Sequence, residues 1–566
     1  MIMRAANLFF SAAMLFPAFL SAGGPADAET KAVETELSRS MLSLHEDGKP
    51  RPYFMAYTLY DYTLNRADAE FGAVTQSLSL PGIKKVQADL RVGTPELDNS
   101  FYLGGQNDDA SAYYSAASVS AYPAEKDPLP LRNSLWLLTD SLYRSASDAY
   151  SKKKSFIETN NITDLYSSLT PAEAVKASAP GVNSKPGDLA AMTLLVKEIS
   201  GVFKKYPSVA TASSRAYSQK GYSLFVNSEG TEIKKPYCSG RLSFTVTGYT
   251  ADEYKVMFNT DEDFCNIEDV PAEKEMISKA ENTGRLMEEV SGAKAFSGTY
   301  IGPVMFPGKS AADFFNYLFV DNLTPDREIW RNNSKYYMAR RSGELLEKLD
   351  MRVMSPFISV TDDPRAAVYE DNYLPGHYDY DEEGFPAKKT DIVERGVLRD
   401  YFMGRAATKD FSASNGHARG GPGTVASPEP SNLFINPDPK SEKTVSEEEL
   451  KRLFLKTCRE QELEYCIRFD RVAGIGYIAY KVYPSDGREE MVHSVSFGNS
   501  FIPRALRDIS AASSERTVST YYANGAYYSV VAPDIIVKEM EIKQSYIKPS
   551  GKPLLPNPLA GSSAGK

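Results

Sequence analysis

A metallohydrolase helix needs two imidazoles at i, i+4 or i, i+5 so that both face one metal, and the chain's four histidines do not supply that spacing. They are His45, His377, His417 and His493. His45-Glu46 has no second histidine behind it. His417 lies in "SNGHARGGPGTVASPEPSN" (414–432), a Gly-, Pro- and Ser-rich stretch of a length that is functional or mobile inside a compact domain. A solvent-exposed loop histidine is the favoured reading, and among the four His417 is the one to test as a substrate-binding candidate. Asp379, Asp381, Glu383 and Gly384 copy the first half of a calcium loop, but the bidentate glutamate of position 12 falls on Thr390. A solvated acidic turn is expected there, with a weak divalent-cation site as the alternative. Asp381, Glu383 and Gly384 stay as substrate-binding candidates. The acidic run Asp261–Asp263 reads as a solvated face as well.

Two nucleotide signatures fail on inspection. Gly308-Lys309-Ser310 ends like a phosphate loop, yet the first glycine belongs at 303, which is proline. Prolines at 303 and 307 also remove amide donors from any phosphate cradle. Gly474-Ile475-Gly476 imitates a dinucleotide fingerprint, but "YIAYKVY" continues as a strand where a helix is required. No G-x-S-x-G elbow is present.

The cysteines are Cys238, Cys265, Cys458 and Cys466. In an exported chain their pairwise proximity favours Cys238–Cys265 and Cys458–Cys466 disulfides. Zinc ligation, which lacks the tight CxxC form here, and four buried thiols are the alternatives. Export itself is expected from the start of the chain. Met1–Arg4 is basic, Ala5–Ala22 is apolar, and Ala26-Asp27-Ala28 reads as a cleavage site, which places the mature start near Glu29 and the protein in the periplasm or outside the cell. An uncleaved anchor competes with this reading, but Pro17 interrupts the apolar run. Removing the leader takes Arg4 and Asp27 together, so the net charge stays at -10. That balance leaves no basic stripe for nucleic acid, and no later stretch is apolar and long enough to span a bilayer.

The elements that would position these residues are legible from periodicity. Residues 53–93 alternate as antiparallel strands, with a break expected at Pro81-Gly82. Helical spacing covers 130–157 and 187–207. Strands resume at 221–235 as a hairpin and at 241–250, and a helix from about 272 to 290 leads into a second, β-rich part. Hairpins are expected around Glu394–Gly396 and Asn524-Gly525. Ser446 with Glu449, and Ser310 with Asp313, read as capping boxes opening helices. In the second of these helices Phe314, Phe315, Leu318 and Phe319 line one face.

Several stretches taken in order are similar to the TldD/PmbA family. In the first part they include "ADAEFGAVTQSLSLPGIKKVQADLRVG", "LPLRNSLWLLTDSLYRSASDAYSKKKSF" and "KKYPSVATASSRAYSQKGYSLFVNSEGTEIKKP"; in the second, "SGTYIGPVMF", "YDYDEEGFPAKKTDIVERGVLRDYF", "SNGHAR", "PSNLFINP" and "PDIIVKEMEI". The resemblance implies metallopeptidase-related proteins working as paired subunits. In the active-type members, "GPV" and two apolar residues lead into an H-E-x-x-x-H helix that binds zinc with a late cysteine. The matching positions here are Pro307, Gly308, Lys309, Ser310, Ala311 and Ala312, so both histidines and the glutamate are replaced, by Pro307, Ala312 and Gly308. No cysteine follows Cys466. The chain therefore looks like the PmbA-type branch, with no catalytic or metal-ligating residue at the family's positions.

The expected fold is α+β, with antiparallel strands and long helices first and a mainly antiparallel β part second. The expected division is a signal peptide (1–28), an N-terminal domain (29–270), a bridging helix and linker (271–297), a C-terminal domain (298–548) and a Pro/Gly-rich tail (549–566). The resemblance implies a role in proteolysis of unfolded or extended peptides, as a metal-free subunit in a homo- or heterodimer with a TldD-like partner. The rivals are an active metallopeptidase that recruits zinc through unusual ligands, such as His377, His417, His493 and the carboxylates at 379–383, and a peptide-binding envelope scaffold. Neither nucleotide nor nucleic acid is expected as a partner.

Overall fold

The computed structural model describes residues 28–103, 116–120, 127–163, 165–179, 188–265, 270–323, 330–331, 343–471, 477–545, 549–555 and 557–561. Residues 1–27 of the expected leader and the Gly474–Gly476 stretch lie outside them.

The fold is α+β, and its first part is a seven-stranded sheet. Helix α1 (Ala28–Ser43) precedes strands β1 (Pro52–Glu70) and β2 (Ala73–Val92). Strand β3 (Ala116–Ser120), helix α2 (Leu129–Asn160), strand β4 (Lys176–Ser178) and helix α3 (Leu189–Val202) follow. Strands β5 (Val209–Asn227), β6 (Glu232–Tyr249) and β7 (Lys255–Phe264) complete the sheet in the order β3-β2-β1-β5-β6-β4, with β7 on β6. The break expected at Pro81-Gly82 is absent. Proline lacks a ladder donor, but among the described residues β2 is paired there on one side only, and a register shift opposite Tyr62 and Leu64 absorbs the pair so that the strand continues.

Period-two alternation sets which face each side chain takes. Met55, Tyr57 and Leu59 of β1 and Val86, Ala88 and Leu90 of β2 pack with Leu37 of α1 and Leu135 and Leu142 of α2. The other face carries Phe54, Ala56, Gln87, Asp89 and Arg91, and it meets the second part of the chain.

Helix α4 (Glu273–Gly292) leads into that part. Its Met276, Ala280, Met287 and Val290 are buried, so it is a packed core helix as well as a connector. They share one apolar cluster with Val196 and Phe203 of the first part and Met305, Phe454 and Ile536 of the second. A continuous core therefore crosses the expected boundary at 271–297.

The second part is a twelve-stranded mixed sheet. Its elements are β8 (Lys294–Ala295), β9 (Thr299–Phe306), helix α5 (Lys309–Leu318), β10 (Ile358–Asp362), β11 (Thr390–Glu394), β12 (Val397–Leu398), β13 (Asn432–Pro437) and β14 (Thr444–Val445), followed by helix α6 (Glu447–Glu460), β15 (Cys466–Phe469), β16 (Tyr477–Val482), β17 (Glu489–Phe497), β18 (Ile509–Ala523) and β19 (Ala526–Gln544). The strand order is β12-β11-β10-β13-β19-β9-β15-β16-β17-β8, and β18 pairs with β19 and β14. Most ladders are antiparallel, but β9 with β15, β13 with β19, β14 with β18 and β8 with β17 run parallel. The hairpins expected at Glu394–Gly396 and Asn524-Gly525 are β11–β12 and β18–β19. At the start of α6, Ser446 Oγ accepts the Glu449 N–H at 3.3 Å, as a cap should. Among the described residues no helix is long and apolar enough to cross a membrane.

Candidate functional site

Strand β9 ends at Phe306, the chain turns through Pro307 and Gly308, and α5 begins at Lys309. The capping box expected at Ser310 does not form. The residue before the helix is Gly308, whose φ of 52° lies in the left-handed region, and no side chain caps it locally. Ser310 already sits inside the first turn, and its hydroxyl donates to the Pro307 carbonyl at 2.7 Å. Asp313 instead accepts from Lys309 Nζ at 2.9 Å and from the Tyr521 hydroxyl at 2.7 Å. The anchoring acceptor is distant in sequence: Asp534 Oδ1 takes the Gly308 N–H at 2.6 Å.

Phe314, Phe315 and Leu318 of α5 and Phe319 just after it are buried together in one cluster. Ser310 through Asn316 and Leu318 are all buried, and Phe306, Phe314, Phe315 and Phe319 join the second part's core. Ala311 and Ala312 are sealed in that core. Zinc needs nitrogen, sulfur or carboxylate donors, and Pro307, Gly308 and Ala312 carry none. The residues present do not fit a metal at this helix.

Nor do the other candidate ligands assemble. Among the described residues no group of three or more His, Cys, Asp or Glu side chains converges closely enough to hold a metal ion. His377 is exposed. His493 on β17 is buried, with its Nε2 3.1 Å from Asp252 and its Nδ1 2.9 Å from the Ser494 hydroxyl. Burial lowers its pKa, against the opposing charge of Asp252.

His417 is not a solvent-exposed loop histidine; it is 0% exposed. Its Nε2 lies 3.1 Å from Asp362 Oδ1 and its Nδ1 2.9 Å from Asn415 Oδ1, and its ring packs on Phe402. Asp362 also takes the Ser431 N–H and hydroxyl. The Gly-rich stretch is thereby stitched to the end of β10, and residues 414–421 are buried. A polar, glycine-rich sequence looked exposed because Asp362 and Asp381, which meet the imidazole Nε2 and take the Ala418 N–H, lie tens of residues away.

The acidic turn is likewise not solvated. Asp379 is exposed, but Asp381 is buried, and its carboxylate accepts the N–H groups of Glu383, Phe385 and Ala418. Burial, reinforced by the charge of Glu383, raises its pKa well above the usual carboxylate range. Gly384 has φ of +79°, and a Cβ there would come within 3.0 Å of the Phe225 ring and 3.1 Å of Thr231. The turn therefore docks on the first part's β5–β6 hairpin. Asp263 of the other acidic run is also buried and holds Arg241 by two bonds of 2.6 and 3.1 Å.

Where the acidic turn and the Gly-rich stretch meet the free face of β1 and β2, they enclose a cavity of about 70 Å³. Asp89, Arg91, Glu382, Glu383 and Arg405 give it charged walls, and Phe54, Leu169, Phe225 and Val425 give it apolar ones. Of the four candidate substrate-binding residues, Glu383 alone reaches it. Sequence reading missed Asp89, Arg91 and Arg405. Gln87, Asp89 and Arg91 alternate with apolar residues as a solvated strand face does, and the only available signal was that this face also carries Phe54 and Phe225.

The two arginines are fully engaged. Arg405, 1% exposed in its side chain, bonds both carboxylate oxygens of Glu229 at 2.7 and 2.8 Å and the Thr170 carbonyl at 2.6 Å. Arg91 donates to the Ser168 carbonyl at 2.7 Å and to Asp89 at 3.2 Å, with Asp98 at 3.6 Å. Burial acts to raise the pKa of Asp98, but Arg91, Lys153 and bonds from Ser100 and Tyr53 outweigh it and lower the value.

The cysteines form two disulfides. Cys238–Cys265 has Cα atoms 5.3 Å apart and ties β6 to the end of β7, and Cys458–Cys466 has them 6.0 Å apart and ties α6 to β15.

Residues 297–544 match the family model of the PmbA/TldA metallopeptidase C-terminal domain. A metalloprotease of Methanocaldococcus jannaschii is 34% identical over 121 residues, which is 21% of this chain and 25% of that protein. The chain thus matches a quarter of that relative's length. Among solved structures, TldE from Thermococcus kodakarensis aligns with a TM-score of 0.57 at 13% identity, covering 90% of this chain and 100% of that one. A candidate modulator of DNA gyrase from Bacteroides thetaiotaomicron aligns with a TM-score of 0.56 at 12% identity, covering 92% and 99%. At these identities the two structures share the fold and nothing more is carried over from them.

Proposed function

This chain belongs to the TldD/PmbA family of metallopeptidase-related proteins, and we propose that it acts there as an exported, metal-free subunit accompanying a catalytic homologue in the proteolysis of unfolded or extended peptides. The observation that carries the reading is the donor chemistry of the helix after β9. Three protein ligands and an open position make a catalytic zinc site, and a base must deprotonate the bound water. Pro307, Gly308 and Ala312 supply neither ligands nor base, and Ala311 and Ala312 lie in an apolar core.

Two further features support the assignment. The paired cysteines suit an oxidising compartment, as does the basic and apolar start of the chain. An extended peptide also needs a strand edge, and the Ala73–Gly82 stretch of β2 is mostly exposed and, among the described residues, pairs only with β1. Main-chain pairing along such an edge holds a peptide with little sequence preference.

Co-purification of the native protein from the cell envelope tests the partnership. Recovery of a homologue bearing H-E-x-x-x-H supports it, and recovery of this chain with no such homologue favours a peptide-binding scaffold. Peptide hydrolysis by the purified chain alone, abolished by a chelator, overturns it in favour of an enzyme with recruited ligands.

A further inference from the structure

The cavity between the two parts has an electrostatic deficit. Asp89 binds Arg91 through one oxygen only, and Glu382 sits 3.4 Å from Lys235 through one oxygen only. Asp89 Oδ1 and Glu382 Oε2 are buried and have no hydrogen-bond partner among the described residues. The third carboxylate, Glu383, accepts the Arg405 N–H at 2.6 Å. The two guanidiniums in the wall leave both oxygens unfilled: Arg405 donates to Glu229 and Thr170, and Arg91 donates to Ser168 and to the other oxygen of Asp89. Acceptors are thus in excess. A buried carboxylate oxygen without a donor is costly, so the site is built for a donor that the described residues do not supply.

The donor's chemistry follows from what the walls lack and what they offer. A divalent cation needs several converging acidic ligands, and the described residues hold no such group of three. A guanidinium is wide and flat, whereas a –NH₃⁺ group is compact and carries three donors. Phe54, Leu169, Phe225 and Val425 line the rest of the space and suit a short aliphatic body. With about 70 Å³, the cavity takes several water molecules or the amine-bearing end of one residue.

We propose that this cavity is a binding site for a primary ammonium group, held by Asp89 and Glu382 between the β1–β2 face and the acidic turn. The ammonium comes from a free peptide N-terminus or from a lysine side chain. Its carrier being a peptide rests on the peptide-handling role proposed above; the ammonium chemistry rests on the cavity alone. The Gly-rich stretch forms one lip, since Gln87 donates to the Thr424 carbonyl and accepts the Gly423 N–H at 3.3 Å.

Calorimetric titration of the purified exported chain at pH 7.5 and low salt tests this with three probes: triglycine, N-acetyl-triglycine and Nα-acetyl-lysine amide. Saturable binding of triglycine or of the lysine derivative is expected, with N-acetyl-triglycine at least tenfold weaker than triglycine if the N-terminus is the source. Binding of the lysine derivative alone assigns the side chain instead. Glu382→Gln should weaken binding at least tenfold, and so should Thr58→Leu, which fills the space without touching a charge. Asp89→Asn is the third variant, and Glu382→Gln keeps the test intact if loss of the Arg91 partner impairs folding. Binding of neither amine, equal binding of the acetylated probe, or unchanged binding by Glu382→Gln overturns the proposal. The titration needs neither metal nor partner, so its outcome is independent of whether the chain is an accessory subunit.

Discussion

Asp534 accepts the backbone N–H of Gly308 at 2.6 Å from 226 residues further along the chain. Strand β19 thereby caps the helix that follows β9. An exposed N-terminal amide costs a helix about as much as a lost cap, so Asp534→Ala should destabilise the protein by about 1–2 kcal/mol, while Asp534→Asn, which keeps an acceptor, loses less than half of that. Chemical denaturation of the three proteins measures it. Equal stability of all three contradicts the assigned role.

Arg405 and Glu229 join the two parts through a bidentate pair whose guanidinium is 1% exposed. Removing one member of a buried pair leaves the other uncompensated, at a cost of about 3–5 kcal/mol. Glu229 is 30% exposed and so partly resolvated, which places Arg405→Met near the lower end. Because one apolar core crosses the boundary, the loss should move a single unfolding transition. Two separated transitions in the wild type would contradict the continuous core.

Local signals made most elements legible, and non-local partners hid the site. Ser446 caps α6 through an amide three residues on, which a short window contains; Ser310 fails because its helix is capped by Asp534. Alternation in "VQADLRV" correctly placed β2, but the same alternation made Gln87, Asp89 and Arg91 look solvated when they face the second part. Asp381 and His417 looked exposed for a related reason. Each is polar within a glycine-containing loop, and each is satisfied by groups such as the Ala418 N–H and the Asp362 carboxylate that only the fold brings near.

The two disulfides close loops of different length, 27 and 8 residues of separation. Loop-closure entropy assigns about 3.5 kcal/mol to Cys238–Cys265 and about 2.5 kcal/mol to Cys458–Cys466. Paired serine substitutions should therefore lower stability more at the first bridge than at the second. Denaturant midpoints of the two double variants check the order, and its reversal contradicts this account.

His493 contributes a pH dependence of defined sign. Its folded pKa lies below the unfolded value of about 6.5, because burial outweighs the attraction of Asp252; Tyr254 and Ser494 are its other polar neighbours. A proton therefore binds the unfolded chain more tightly. The stabilisation is fully present above pH of about 6.5 and is lost as pH falls toward the folded pKa. Wild type should lose more stability than His493→Asn between pH 7.5 and 5.5, and parallel losses in denaturant titrations would contradict it.

Elemental analysis of the purified protein after dialysis, run beside a peptide-hydrolysis assay, tests the metal-free assignment most directly. Well under about 0.1 equivalent of any transition metal is expected, with no chelator-sensitive cleavage, because the side chains at 307, 308 and 312 have no donor to offer. About one equivalent of tightly held zinc, with hydrolysis that a chelator abolishes, would contradict it.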